Sequence, residues 1–237
     1  MDDVSEDTLL GGRVRLLQPR QGFRAAIDPV LLAAFIPAHP GEAVLEAGCG
    51  SGAAFLCLAA RIPGITVTAL ERDPRLTALA ARNATLNQVP ATIHTADLTE
   101  SPELGAVDHA FANPPYWPGG TPSPDAARRQ AAHVETPLSE WVRVLATPLR
   151  RRGSLSLVLP ATRWSEAGAT LRAAGFGALR LLPLWPRAGS PAKRILLQGR
   201  RDARGPDEVL PGLVLHGAGT TYTAAAEAVL RDASPLP

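Results

Sequence analysis

The pattern of apolar and polar positions divides the chain into two parts near residue 43. In the first part, short apolar runs flank Gly11-Gly12, a pair that permits the positive φ angles of a tight turn. This pattern predicts a β-hairpin. Asp28-Pro29 then gives a helix-start signal, with Asp28 as the N-cap, and predicts a short helix over residues 29–35.

From Ala43 onward, stretches with strand character alternate with amphipathic stretches of helical period. The predicted strands span residues 43–46, 66–71, 91–95, 107–112, 154–159, 178–184 and 195–200. The predicted helices span residues 53–61, 74–86, 138–149, 163–174 and 223–231. The alternation is typical of an α/β fold with a seven-stranded, mostly parallel, doubly wound sheet. A Pro-rich connection over residues 114–136 interrupts it, and a loop of that length indicates a functional or mobile segment.

Composition limits the class of protein. The chain has 237 residues, of which 46% are hydrophobic and 19% charged, as in a globular protein. It holds no apolar run of about eighteen residues, so we expect no membrane span. The N-terminus is acidic and lacks a signal-peptide pattern, which leads us to expect a cytoplasmic protein. The two cysteines, Cys49 and Cys57, have no partner cluster, so we expect neither a disulfide framework nor a metal site.

A glycine-rich loop follows the predicted strand over residues 43–46. Gly48, Gly50 and Gly52 lie between that strand and a helix, where glycines let a ligand approach the backbone closely. Their spacing differs from the G-x-G-x-x-G of dinucleotide sites, and the carboxylate of Glu46 would repel a pyrophosphate. A ligand with a sulfonium and an ammonium meets no such repulsion. Both features favour S-adenosylmethionine over NAD as the cofactor, and we count Glu46 with the three glycines among the residues that bind it.

Acidic residues end the next two predicted strands. Glu71 can accept hydrogen bonds from a ribose diol, and we count its neighbour Arg72 with the cofactor-binding residues. The carboxylate of Asp97 can accept from the exocyclic amine of the cofactor's adenine, and Leu98 can lie against the ring. The alternative is that these acids cap helices or turns, the role that we assign to Asp73.

The fourth predicted strand after residue 43 leads into Asn113-Pro114-Pro115-Tyr116. The lone pair of an adenine amine is delocalised into the ring, so a methyltransferase must reorient the amine. The side-chain oxygen of Asn113 and the backbone carbonyl of Pro114 can each accept one N–H and turn the lone pair toward an activated methyl. Tyr116 offers a ring for stacking of the base. The alternative is a Pro-rich turn after a strand.

Charge is distributed unevenly along the chain. Residues 1–125 have a formal net charge of −6, whereas residues 126–237 have a formal net charge of +8. An acidic cofactor half joined to a basic half suits a polyanionic substrate such as RNA. Alternatively, clusters such as Arg150-Arg151-Arg152 and Arg200-Arg201 are solvated loop ends.

These motifs together resemble those of the Rossmann-like class I methyltransferases of the N6-adenine and N5-glutamine type, whose signature ends in [DNS]-P-P-[YF]. Within that group the chain is similar to the bacterial tRNA1(Val) N6-adenine methyltransferases over about residues 7–231. The further segments that carry the similarity are residues 18–32, 193–197 and 216–223. The chain departs from the pattern by its Pro-rich segment 117–124 and by arginine in place of most lysines.

The resemblance implies a substrate and a division of the chain. It implies methylation of the adenine on the 3′ side of the anticodon in one valine tRNA, with S-adenosylmethionine as donor. It also implies that Arg24 and Asp28, within an extension over residues 1–40, pack over the cofactor. Residues 41–233 would form the methyltransferase domain, and residues 234–237 are expected to be disordered. Candidate phosphate contacts are Arg128, Arg129, Lys193 and Arg194.

Other functions remain open from sequence. A glutamine amide presents the same nitrogen geometry to the acceptor motif, so a release-factor N5-glutamine methyltransferase is the nearest alternative. Such enzymes usually carry a helical domain before the first strand, whereas residues 1–42 here predict a hairpin and one helix. The motif does not separate RNA from DNA adenine methyltransferases. An NAD-linked oxidoreductase and a non-catalytic RNA-binding module are further alternatives, and the oligomeric state is not predicted.

Overall fold

The computed structural model of the protein describes residues 4–22, 24–100, 104–115 and 136–237. Tyr116, Arg128 and Arg129, which were singled out above, lie outside these ranges. Most of the Pro-rich connection lies outside them as well.

The N-terminal part forms the predicted hairpin and helix. Strands β1 (Val4–Leu9) and β2 (Val14–Pro19) pair antiparallel around a 3-10 turn at Leu10–Gly12. Helix α1 spans Asp28–Phe35, but its N-cap is Ile27 and no side chain caps it. The predicted capping role of Asp28 is therefore wrong, because the helix begins one residue earlier and Asp28 is already its first helical residue.

The remaining elements follow the predicted alternation. The strands are β3 (Ala43–Ala47), β4 (Thr66–Glu71), β5 (Ala91–Thr95), β6 (Val107–Ala112), β7 (Leu149–Pro160), β8 (Phe176–Trp185), β9 (Arg194–Arg201), β10 (Glu208–Val209) and β11 (Leu213–Val214). The helices are α2 (Ala53–Arg61), α3 (Pro74–Leu86), α4 (Leu138–Ala146), α5 (Trp164–Ala173) and α6 (Ala224–Leu230).

Strands β3 to β11 form one nine-stranded sheet in the order β10-β8-β9-β7-β6-β3-β4-β5, with β11 also paired to β8. The pairs β3–β4, β4–β5, β3–β6 and β6–β7 are parallel, and β9 runs antiparallel between β7 and β8. The predicted α/β class is confirmed. The two short strands β10 and β11 were not predicted, because each has only two residues and exists through its pairing with β8.

The core lies on both faces of the sheet. On strand β3, the side chain of Val44 joins one buried cluster and the side chain of Leu45 joins the other. Successive strand residues point to opposite faces, so a strand covered on both sides is mostly apolar. Helices α1, α2, α3 and α6 contribute to the first cluster, and α4 and α5 contribute to the second. Within the described ranges, no helix is long and apolar enough to cross a membrane.

Two asparagines attach the hairpin to the domain. The side chain of Asn83 on α3 accepts from the backbone N–H of Leu17 and donates to its carbonyl, both at 2.9 Å. One helical turn later, the side chain of Asn87 makes the same pair of contacts with Arg15, at 2.9 and 2.7 Å. Residues i and i+4 lie on one face of a helix. The two amides therefore act as a substitute for a neighbouring strand along β2.

The C-terminal residues are also held in place. The backbone N–H of Leu236 donates to the carbonyl of Ala34 at 2.8 Å, and that of Ser234 donates to Ala228 at 3.0 Å. The structure thus corrects the prediction of a disordered tail. Burial of an apolar side chain explains the difference, because Leu236 packs against the cluster that contains α1.

Candidate functional site

The loops that leave β3, β4 and β6 begin at one level of the sheet. The register sets Ala47 beside both Leu70 of β4 and Ala112 of β6. From β3 the chain proceeds to β4 and β5 on one side and then returns to β6 on the other. Ligands of open α/β sheets bind at the carboxyl ends of the strands where the order reverses in this way. The crevice between β3 and β6 is therefore the candidate active site.

The glycine-rich loop follows β3 at this crevice, and its three glycines have positive φ angles. A Cβ on Gly48 would lie 2.7 Å from the ring of Trp141, and one on Gly52 would lie 2.6 Å from the ring of Phe55. A Cβ on Gly50 would meet nothing within 4 Å. Two glycines are thus required by packing, whereas Gly50 leaves open space beside the backbone, as a close-binding cofactor needs.

Glu46 lies beneath the loop. It is only 3% exposed, and its carboxylate accepts a hydrogen bond from the backbone N–H of Phe55 at 3.0 Å, in the first turn of α2. Burial raises the pKa of Glu46 well above its usual value, against the lowering effect of this hydrogen bond; the nearby Glu71 raises it further. The structure therefore shows Glu46 positioning the start of α2.

Glu71 lies at the end of β4 and is also buried. Its two oxygens accept from the backbone N–H groups of Gly50 at 2.8 Å and Asp73 at 2.9 Å. Each carboxylate oxygen has two lone pairs, so these contacts leave capacity for the hydroxyls of a ribose. Glu71 thus fixes the glycine-rich loop, a role that the sequence did not predict. Asp73 caps α3 as predicted, accepting from Arg75 N.

The residues after β5 are placed differently. Asp97 is half-buried, and its backbone N–H donates to the carboxylate of Glu100 at 3.1 Å. Leu98 is buried in the cluster that contains Leu45 and Trp141. The predicted contact of Leu98 with an adenine ring stays a prediction. Arg72 is exposed beside Glu71.

The acceptor motif begins directly after β6. Asn113 is half-buried, Pro114 is buried and Pro115 is exposed. Since Ala112 pairs with Ala47, this segment and the glycine-rich loop leave adjacent strands at the same level. The structure thereby brings the two predicted motifs to one crevice.

Two predicted cofactor residues have partners elsewhere. The guanidinium of Arg24 donates to the carboxylate of Asp7 at 2.6 Å and to the carbonyl of Pro19 at 2.9 Å, which holds it against the hairpin. The carboxylate of Asp28 forms an ion pair with Arg194 at 3.3 Å. Their predicted packing over the cofactor stays a prediction.

The two described RNA candidates, Lys193 and Arg194, lie at the same end of the sheet as the crevice. Arg194 starts β9 opposite Pro160, and the carbonyl of Lys193 accepts from Ala161 N at 3.1 Å. Lys193 is exposed, whereas the charge of Arg194 is partly compensated by Asp28. Lys193 is therefore the more available cation of this pair.

Asn83 is a site residue that sequence reasoning missed. It is fully buried, and its side-chain amide donates to Ser51 of the glycine-rich loop at 2.9 Å in addition to its contacts with Leu17. One side chain thus joins the hairpin, α3 and the loop. Its signal in the sequence is a polar residue between the apolar positions Ala80 and Ala84 on one helix face.

The two cysteines are free and buried. Burial raises the pKa of Cys57 to about 12 and raises the pKa of Cys49 well above its usual value. Neither thiol is poised to ionise. Among the residues that the structure describes, no group of three or more His, Cys, Asp or Glu side chains could hold a metal ion.

The sequence of this chain is similar to those of known proteins. Residues 26–160 match the family model of the methyltransferase small domain. The chain is 30% identical to a tRNA1(Val) (adenine(37)-N6)-methyltransferase of Shewanella amazonensis, over 89% of this chain and 91% of the relative. A Vibrio campbellii protein of the same name is 26% identical over 83% of each chain. A third, from Shewanella sediminis, is 30% identical over 63% of this chain and 65% of its own length.

Solved structures share the fold. The crystal structure of a protein described as a predicted O-methyltransferase from Agrobacterium tumefaciens superposes with a TM-score of 0.72 at 21% identity, covering 89% of this chain and 98% of that one. A Thermus thermophilus 16S rRNA N2 G1207 methyltransferase, solved with AdoMet and guanosine, gives a TM-score of 0.60 at 23% identity, covering 84% and 50%.

Proposed function

The chain belongs to the methyltransferase small domain family and is an S-adenosylmethionine-dependent methyltransferase, and on that premise we propose that it methylates the N6 amine of an adenine in RNA. The finer proposal is the adenine beside the anticodon of tRNA1(Val), the substrate in the names of the relatives. The observation that carries it is the position of Asn113-Pro114 at the end of β6, directly beside the glycine-rich loop.

The residues at the crevice fit the cofactor. Gly50 leaves open space beside the loop, and Glu71 presents carboxylate oxygens with spare lone pairs at the end of β4. We assign the ribose hydroxyls to Glu71 and the adenine amine to Asp97, with Arg72 and Leu98 nearby. S-adenosylmethionine supplies a methyl group made electrophilic by its sulfonium.

The acceptor site works by orientation. The side-chain oxygen of Asn113 and the backbone oxygen of Pro114 accept the two N–H bonds of the target amine and direct its lone pair into the crevice. Both acceptors are neutral, so they stabilise the positive charge that develops on nitrogen without removing a proton beforehand. The fixed φ of Pro114 and Pro115 limits the conformations of this segment. Tyr116 would stack on the base.

Nucleoside analysis tests this proposal. The protein is incubated with labelled S-adenosylmethionine and total tRNA, and the RNA is digested and examined by mass spectrometry. We expect N6-methyladenosine in a valine tRNA. Label in a glutamine of a release factor, with none in RNA, would establish the alternative substrate class instead.

A pair of variants tests the acceptor geometry. We expect Asn113→Ala to lower kcat about 100-fold, a magnitude typical of losing one oriented hydrogen-bonding group, while RNA binding is retained. Asn113→Asp keeps an oxygen acceptor in the same place and should retain more activity than Asn113→Ala. Equal activity of both variants and the wild type would refute the role of Asn113.

A further inference from the structure

Six arginines lie together at the end of the sheet opposite the active-site crevice. Arg150, Arg151 and Arg152 follow the start of β7, and Arg200 and Arg201 end the antiparallel strand β9. The pairing of Ser154 with Arg200 brings the two groups side by side, and Arg204 follows within three residues. We name these six residues the arginine surface.

Three members of this surface are engaged with protein atoms. Arg150 forms an ion pair with Asp108 at 2.6 Å. Arg201 donates to the backbone carbonyl of Leu149 at 2.6 Å, and Arg200 donates to that of Arg152 at 3.3 Å. Contacts with carbonyls hold a guanidinium in place without neutralising its charge.

The other three members are exposed guanidinium groups. Arg151, Arg152 and Arg204 are exposed, and none has an ion-pair partner among the residues that the structure describes. Charges without partners at a surface repel one another, so their grouping is an arrangement that a bound polyanion would stabilise.

The surface contains two open, shallow depressions. One depression of about 460 Å³ is lined by Arg150, Arg151 and Arg201, and a second of about 1080 Å³ is lined by Arg151, Arg152, Arg200 and Arg204. Arg151 and Asp202 line both, so the two depressions are adjacent, and Asp202 is the acidic residue in each lining. The net charge of the residues that line the two depressions is therefore strongly positive.

The residues that line the depressions also indicate which part of a nucleic acid they would contact. Among the residues that the structure describes, neither lining contains an aromatic ring on which a base could stack. Guanidinium groups bind phosphate oxygens with two parallel hydrogen bonds. Contacts of this kind position a nucleic acid without reading its sequence. The chemistry fits the phosphates of a backbone.

The distance to the crevice follows from the register. Ala112 pairs with Leu157 at the carboxyl end of β6, and His109 pairs with Ser154, three residues earlier on β7. At about 3.3 Å per residue, Ser154 and Leu157 are about 10 Å apart along the strand. The arginines of β7 precede Ser154, where the register shifts, so they lie beyond this distance, which corresponds to about three nucleotides at about 3.4 Å each along a duplex strand.

We propose that the arginine surface binds successive phosphates of the RNA stem that carries the target adenine. The inference rests on the proposed function, since RNA is the substrate that would bring those phosphates to this end of the sheet. The surface would hold the stem while the adenine occupies the crevice, so it contributes to RNA affinity and leaves the methyl transfer itself unchanged.

The salt dependence of RNA binding tests the proposal. The double variant Arg151→Gln/Arg204→Gln removes two exposed charges, and the matched control Arg82→Gln/Arg231→Gln removes two exposed charges from α3 and the end of α6. Binding of an unmodified tRNA transcript is measured between about 50 and 200 mM salt. We expect the slope of log K against log salt to become shallower by about 1.4–1.8 in the double variant, and to stay unchanged in the control.

Two further readouts separate the possible outcomes. A five-nucleotide RNA centred on the target adenine is too short to reach the arginine surface, so the double variant should bind it like the wild type, and kcat at saturating tRNA should be unchanged. A wild-type slope in the double variant, or equal flattening in the control, would overturn the inference while leaving the methylation of RNA standing. Absence of any methyl transfer to RNA by the wild type would instead remove the proposed function.

Discussion

The two ends of the central sheet use charge in opposite ways. At the carboxyl end, Glu46 and Glu71 are buried and accept hydrogen bonds from backbone N–H groups, so they fix the start of α2 and the glycine-rich loop. At the amino end, Arg151, Arg152 and Arg204 are exposed and without ion-pair partners among the described residues. A small ligand requires a rigid site, whereas a polyanion can be held by mobile side chains whose attraction is screened by salt. Substitutions should therefore affect stability at the first end and salt-dependent affinity at the second.

The largest loss of stability is expected from a substitution at Gly48. Gly48→Ala places a Cβ 2.7 Å from the ring of Trp141 on a backbone with φ of +66°, so we expect a loss of about 2–4 kcal/mol in the free energy of unfolding. Gly50→Ala is the matched control. It has a similar φ of +57° but open space around the Cβ, so it should cost only about 1–2 kcal/mol of strain.

Chemical denaturation and cofactor titration distinguish these two variants. Gly50→Ala should weaken S-adenosylmethionine binding more than its stability loss explains, because its methyl occupies the space beside the loop. Normal cofactor affinity in a folded Gly50→Ala protein would show that the cofactor does not approach the loop there.

Asn83→Ala is expected to have the next largest effect. It removes hydrogen bonds to Leu17 N, Leu17 O and Ser51 O inside the protein, and buried groups left unpaired cost about 1–3 kcal/mol each before relaxation. We expect a total loss of about 3 kcal/mol. Asn87→Ala, which removes the equivalent contacts to the exposed Arg15, should lose about 1 kcal/mol, because water can replace that amide. Equal losses in urea melts would contradict the role of burial.

Glu71→Gln, at the same end of the sheet, should cause a smaller loss of free energy, and we expect it in cofactor binding. Glutamine keeps one oxygen and replaces the other with an NH2, so one of the backbone N–H groups of Gly50 and Asp73 loses its acceptor. We expect S-adenosylmethionine to bind about tenfold more weakly, which is a loss of about 1.4 kcal/mol in binding free energy. Calorimetry measures this, with the exposed Glu166→Gln as control. Wild-type affinity in Glu71→Gln would remove Glu71 from the cofactor site.

The smallest effect is expected at the amino end of β6, where His109 is buried between Glu42 and Ser154. Its Nε2 lies 2.9 Å from Glu42 and its Nδ1 lies 2.7 Å from Ser154 Oγ. Burial lowers the pKa of His109 below 6.5, although the hydrogen bond to Glu42 acts in the opposite direction. Between the folded and unfolded pKa values the unfolded chain binds more protons, so stability falls as the pH drops below about 6.5.

Thermal melts between about pH 5 and 8 measure this effect. Each kcal/mol lost should lower Tm by about 2–4 °C for a chain of this size. His109→Gln should show a weaker dependence of Tm on pH below about 6.5 than the wild type. An identical pH profile in the variant would assign the acid sensitivity to another group.

Local pattern was sufficient where an element is bounded by strong signals. Helices α2 and α3 and strands β4, β5 and β6 have the predicted bounds, because glycine, proline or an acid marks where each apolar run starts or stops. Near Arg150 the local pattern was not sufficient. The helix that starts at Leu138 was predicted to continue to Leu149, but α4 ends at Ala146 and Leu149 pairs with Val107 to start β7. The apolar residues before Leu149 fit both the end of a helix and the start of a strand, and the pairing with β6 decides for the strand.

The sequence by itself determined the α/β alternation, the glycine-rich loop and the strand-end position of Asn113, because these depend on contacts between residues close in the chain. Only the tertiary structure decided that Glu71 holds Gly50, that Asn83 joins the hairpin to the loop, and that the arginines of β7 and β9 meet at one end of the sheet. Those contacts join residues 21, 32 and more positions apart. Their formation depends on strand order and register, which the local pattern of side chains does not specify.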